Sequence, residues 1–160
     1  MDELVKILPN FKKFNSYIND VRTYVSPMML SGLTDTAKVH FAYSTHFYIE
    51  KPICIITYNE MSAKNLIKDL SYFTNNIEYF PKREILAYDY LAESREIQHK
   101  RISCLNNIHE KKAKIIVTTI EAVSQRIISE TSLYKNILNL KPGMEIALED
   151  LKRNLTALRI

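Results

Sequence analysis

The sequence predicts an α/β fold, a parallel sheet with helices on both faces and a degenerate phosphate-binding loop. Three observations carry this. Apolar, β-branched runs such as Ile53 to Thr57 and Lys114 to Thr118 are strand-length and read as buried strands. Stretches with helical apolar spacing separate them, and strands alternating with helices imply a parallel sheet. Residues Ser31 to His40 read Ser-Gly-Leu-Thr-Asp-Thr-Ala-Lys-Val-His, a broken version of the Gly-x-x-x-x-Gly-Lys-Ser/Thr loop.

The elements follow in chain order. Glu3 to Val21 carries Leu4, Ile7, Leu8, Phe11, Phe14 and Ile18, and reads as one or two helices split around Pro9-Asn10. Met28-Met29-Leu30 reads as a short buried strand running into the loop. Thr36 to Glu50 reads as a helix rich in aromatics, with Phe41, Tyr43, Phe47 and Tyr48. In the strand Ile53 to Thr57, Cys54 reads as core. Glu60 to Phe73 places Ala63, Leu66, Ile67, Leu70 and Phe73 at helical spacing. Ile77 to Phe80 is a strand stopped by Pro81. Ser94 to Glu110 is a helix with Ile97, Ile102, Leu105 and Ile108 inward. After the strand Lys114 to Thr118, Thr118-x-x-Glu121 resembles a capping box opening a helix through Ile128.

The composition changes after about Ser129. Ile137-Leu138-Asn139-Leu140 is strand-like, and Lys141-Pro142-Gly143-Met144 is a turn. Leu148, Leu151, Leu155 and Leu158 mark an amphipathic helix whose apolar stripe runs to Ile160 with nothing after it. The expectation is a piece of a longer protein. In open parallel sheets ligands sit beyond the carboxyl ends of the strands, and the Gly32 loop is expected at such an end.

In that loop Gly32 and Lys38 hold the consensus spacing, while Ala37 replaces the second glycine and Val39 the hydroxyl residue. A working loop aims several backbone N–H groups at phosphate, which needs glycine-like freedom. Val39 has no oxygen for Mg²⁺. Asp35, between Thr34 and Thr36, would put a carboxylate inside the cradle. The segment therefore points to a nucleotide-hydrolase ancestor and against hydrolysis here. Two readings of Lys38 stay open: an ancestral lysine paired with Asp35, which could also cap the helix, or a residual anion or nucleotide site.

Composition excludes several classes. Only two glycines are present, Gly32 and Gly143, so dinucleotide fingerprints and nucleophile elbows are absent. Two cysteines make no disulfide framework. The four histidines show no zinc-like spacing, and His40 and His46 are poorly placed to share a metal. No run is long and apolar enough for a membrane span, and Met1 to Lys13 is no signal peptide, so the expected compartment is the cytoplasm. Net charge is +4, with the densest basic run at Lys111, Lys112 and Lys114; a solvated face and a nucleic-acid contact are the two readings.

Several segments, taken in order, resemble the N-terminus of the bacterial transcription-repair coupling factor (Mfd) family. They are Ser31 to Lys38, Pro52-Ile53-Cys54-Ile55-Ile56-Thr57, Asn65 to Leu70, Tyr79 to Tyr90 with Glu96-Ile97 and Arg101, Ile116 to Arg126, and Leu140 to Ile146 with Leu151 and Leu155. The family's N-terminal region is similar to the UvrB excision-repair subunit. UvrB keeps a working phosphate loop and a DNA-clamping hairpin after a Tyr-Asp-Tyr-Tyr stretch. Here the loop is degraded, and the short link from Tyr90 to Ser94 leaves no room for the hairpin, so the resemblance points to the coupling factor.

The resemblance implies a helicase-like fold of the UvrB domain 1a type. It implies residues 1–29 as an N-terminal helical segment leading into the first strand, 30–130 as the degenerate domain 1a, and 131–160 as the truncated start of a second, UvrA-binding type domain. It implies a non-catalytic module with no cofactor of its own, ATP and Mg²⁺ being used by the parent's downstream motor. Implied partners are UvrA and other domains of the parent chain, with RNA polymerase and DNA reached through the parent. Tyr88, Tyr90, Glu96 and Arg101 are candidate interdomain or partner contacts; packing for the tyrosines and a solvated face for Glu96 and Arg101 are the alternatives. Rival readings are a P-loop ATPase or helicase subunit and a UvrB-like damaged-DNA clamp.

Overall fold

In the computed structural model, residues 2–83, 95–135, 137 and 140–157 are described. The chain divides into two compact units, Met1–Gln125 and Arg126–Ile160.

The first unit is built on a three-stranded parallel sheet of β1 (Ile53–Thr57), β2 (Ile77–Phe80) and β3 (Ile115–Thr119), in the order β1-β3-β2. Ile115 of β3 stands opposite Ile53 on one side and Ile77 on the other. Residues of β3 are buried throughout, as a central parallel strand covered on both faces must be. Its two threonines are satisfied locally. The Thr118 hydroxyl donates to the Phe80 carbonyl at 2.9 Å, and the Thr119 hydroxyl accepts from the Ala122 N–H at 3.2 Å.

Helices cover both faces. On one face, Val39 of α3 (Asp35–Ile49) and Ala63 and Leu70 of α4 (Glu60–Leu70) pack with Ile115 and Val117. On the other, Cys104 of α5 (Arg95–His109) and Ala122 of α6 (Ile120–Ser124) pack with Phe80, Ala113 and Ile116. Two further elements precede the sheet: α1 (Asp2–Val5) and, after a 3₁₀ turn at Leu8–Asn10, α2 (Lys12–Arg22). The proline at position 9 fits that 3₁₀ start, where no intrahelical N–H is required. The α3 helix is apolar on more than one side because it is sandwiched. Val39 faces the sheet, while Phe41 and Tyr48 meet Phe14 of α2 edge-on at 5.3 and 5.8 Å.

Several expectations need correction. Met28-Met29-Leu30 forms no strand and is exposed, with Met29 at 92%. It has no ladder partner and lies along α2 beside Lys13 and Tyr17; three consecutive apolar residues mark a contact surface as readily as a strand. Cys54 is exposed, as is Ile56, on the same face of the edge strand β1. The buried face of α5 centres on Arg101 and Cys104, whereas Ile102 and Ile108 are exposed. The cap of α6 is Thr119 rather than Thr118, whose hydroxyl is committed to Phe80, and Glu121 pairs with Lys82. That helix stops at Ser124, where Gln125 turns extended and its amide bonds both the N–H and the carbonyl of Arg83.

In the second unit, α7 (Glu130–Lys135) is capped by Ser129, whose hydroxyl accepts from the Ser132 N–H at 3.2 Å. Ile137 and Leu140 carry no strand pairing; Leu138 and Asn139 lie outside the described residues. The turn at Lys141 to Met144 is closed by the Met144 N–H on the Lys141 carbonyl at 3.1 Å, with Gly143 at φ +82° after Pro142. That placement of proline and glycine suits a type II turn. The chain then enters α8 (Leu148–Ala157).

Candidate functional site

The site singled out by the sequence is the loop from Ser31 into the first turn of α3. The loop does not leave a strand. It follows the exposed segment at Met28 to Leu30, which has no regular secondary structure, so its expected position at a strand's carboxyl end is not observed. Gly32 takes φ +79°, and a Cβ built there would meet nothing within 4 Å. The backbone angle therefore requires glycine, while close approach by a neighbouring group does not.

The helix begins where a phosphate cradle would have to stay open. Thr34 is the N-cap, and its hydroxyl accepts from the Ala37 N–H at 3.3 Å. The Lys38 N–H bonds the Thr34 carbonyl at 2.9 Å in ordinary helical fashion. Ala37 lies within α3 and is not among the positive-φ residues. Two N–H groups of the consensus cradle are thus spent inside the helix start.

The side chains diverge in the same way. The Lys38 ammonium donates to Asp35 at 2.9 Å, and both side chains are exposed. That hydrogen bond, with the lysine's charge, holds the Asp35 carboxyl below its ordinary value. Thr36 is exposed. Val39 faces inward instead and is 2% exposed, in the core against Ala63, Leu70, Ile115 and Val117. The hydroxyl position of the consensus is therefore a core position here, turned away from the lysine.

No protein-family model matches the chain. Among curated proteins it is similar to the transcription-repair-coupling factor of Bacillus subtilis, with 23% identity over 138 residues, 85% of this chain and 12% of the relative. The UvrABC system protein B of Latilactobacillus sakei is 28% identical over 143 residues, 79% of this chain and 21% of the relative. The coupling factor of Haemophilus influenzae is 28% identical over 104 residues, covering 64% of this chain and 9% of the relative. This is an Mfd/UvrB-like region. It spans between about a tenth and a fifth of the length of these relatives.

The remaining candidates of the Mfd/UvrB-like region separate. Tyr88 and Tyr90 lie outside the described residues. Glu96 is exposed on α5 and pairs with Lys100 at 2.6 Å, which lowers its carboxyl pKa. Arg101 is buried at 4% exposure, which corrects its assignment to an outward face. Its guanidinium donates to the Pro81 carbonyl at 2.6 Å and to the Gln125 side chain at 3.4 Å, and lies 4.1 Å from the Phe80 ring centroid. It ties the end of β2 to the residue after α6. Sequence reasoning missed this, because both partners lie 20 or more residues away along the chain.

His40 stacks on Phe73 at 5.8 Å, and His46 Nδ1 lies 2.7 Å from the Lys51 carbonyl oxygen. No group of three or more metal-binding side chains occurs among the described residues. No helix among them is long and apolar enough to cross a membrane.

Proposed function

We propose that the chain is a non-catalytic, UvrB-like module of a transcription-repair coupling factor. Its parent is an ATP-dependent DNA translocase that displaces stalled RNA polymerase and recruits UvrA to nucleotide excision repair in the cytoplasm. The motor, with its ATP and Mg²⁺, lies elsewhere in that parent. Residues 30–130 act as the degenerate domain 1a and 131–160 open the UvrA-binding type domain. Similarity to several proteins named for transcription-repair coupling supports this reading.

One observation carries the non-catalytic part: Val39 stands in the core, where the consensus needs a Mg²⁺-binding hydroxyl. Isothermal titration with Mg-ATP tests it. The expected result is no saturable heat; micromolar affinity that disappears in Lys38→Ala would overturn it.

The Latilactobacillus sakei match favours a second reading, a UvrB-like clamp on damaged DNA. Filter binding to damaged duplex at low salt separates the two. Submicromolar retention would favour the clamp, and weak binding that vanishes with salt the adapter.

A further inference from the structure

Behind the Gly32 loop lies a cavity of about 660 Å³, between α2, α3 and the approach to β1. That volume lies within the range of small-molecule sites. Its wall is apolar, formed by Leu30, Leu33, Phe41, Ile49 and Ile53 among others. The Tyr17 and Phe41 rings, 4.8 Å apart, stiffen one side. Thr45 contributes no free hydroxyl donor, because that group bonds the Phe41 carbonyl at 2.8 Å.

Among the described lining residues the charged ones are Lys38 and Lys51, and none is acidic. Both lysines line the cavity from exposed chain positions, with the Lys38 side chain 60% exposed, so their ammonium groups are accessible at its solvent side. Lys51 is anchored there by Tyr24, with Nζ 3.1 Å from its hydroxyl and 5.0 Å from its ring centroid. The cavity thus pairs an apolar interior with cationic groups.

We propose that this cavity binds a small amphipathic anion, an acyl or aryl body seated against Phe41 and Ile53 with a single anionic head at Lys38 and Lys51. The proposal goes beyond the UvrB-like adapter reading and does not depend on it. A nucleotide fits poorly, since a polyphosphate needs several free N–H donors and the Ala37 and Lys38 amides are spent within α3. A carboxylate needs only the ammonium groups. Asp35, bonded to Lys38, is then the competitor that an incoming head displaces.

The test is a fluorescence titration of the full chain with cis-parinaric acid, followed by displacement. Saturable one-to-one binding is expected, displaced by dodecanoate but not by ATP. Dodecan-1-ol, which lacks the charge, should displace at least about tenfold less well, the scale of one charge-assisted contact. Lys51→Glu and Lys38→Glu should each weaken binding by a similar factor with unchanged far-ultraviolet circular dichroism. Ala42→Phe, which fills the cavity, should abolish it. Absence of saturable binding, equal displacement by dodecan-1-ol, or folded charge-reversed variants that bind as well as the parent chain would each overturn the proposal.

Discussion

Restoring the letters of the phosphate loop should not restore its chemistry. In Val39→Thr a buried methyl becomes a hydroxyl of nearly the same shape, at a site 2% exposed. Losing the methyl's transfer energy costs about 0.8 kcal/mol. Burying the hydroxyl without a partner costs a further ~1–3 kcal/mol. A bond back to the Asp35 carbonyl, like the one Thr45 makes to Phe41 at 2.8 Å in the same helix, offsets part of this. The net destabilisation is about 1–2 kcal/mol, which lowers a urea midpoint by roughly 0.5–1 M at ordinary m-values. Adding Ala37→Gly completes the consensus and costs about 1 kcal/mol more, because the residue lies inside α3. Urea unfolding and Mg-ATP calorimetry on the double variant form the assay. A midpoint equal to that of the parent chain, or Mg-ATP binding gained by the double variant, would refute the reasoning.

Three further predictions rest on the same first unit. Arg101→Ala removes two hydrogen bonds and the Phe80 ring contact from a buried site and should cost about 2–4 kcal/mol in chemical denaturation; Arg101→Lys should recover less than half, lacking the planar fork. In the folded protein a thiol reagent should label Cys54, which is exposed, and spare Cys104, whose thiol burial pushes up to about 12, until the chain unfolds; two equally fast thiols would contradict the fold of α5 on the sheet. Hydrogen bonds to Lys38, Lys100 and Lys112 hold Asp35, Glu96 and Glu110 below their ordinary values of 3.8, 4.5 and 4.5, so their contribution is present above those values and lost as pH falls through the lowered ones. The triple amide variant should therefore show a shallower acid loss of the denaturation midpoint, by a small amount because all three pairs are exposed; a steeper loss would reverse the sign.

The sheet was legible because its strands declare themselves. Ile53 to Thr57 and Ile77 to Phe80 are apolar, β-branched or aromatic and bounded by prolines or polar turns, and both appear at the read boundaries. What the sequence hid was which neighbour each strand has. Cys54 reads as core because its strand is apolar throughout, but edge position leaves that face open. Met28 to Leu30 carries the same local signal yet joins no ladder and stays exposed. Arg101 was misread for the opposite reason: a charged residue on a helix reads as solvated, and it is tertiary packing that brings the Pro81 carbonyl to it. The α7 helix was missed because Ser129-x-x-Ser132 lacks the acidic partner that makes a cap recognisable.

The same distinction explains how a segment with the spacing of the consensus can fold without its cradle. Positions 38 and 39 are consecutive on a helix, so their side chains leave the axis about 100° apart. Once Ala37 joins the helix, that angle puts Lys38 at the surface beside Asp35 and Val39 in the core against Ile115 and Val117. An apolar residue at 39 then stabilises the packing of α3 on the sheet, while a hydroxyl there weakens it. The lysine pairs with Asp35 at the surface and lines the cavity. A working phosphate site at this segment would therefore require the first turn of α3 to unwind, exchanging a Thr34 cap and a core contact for a ligand, and no single substitution in the loop does that.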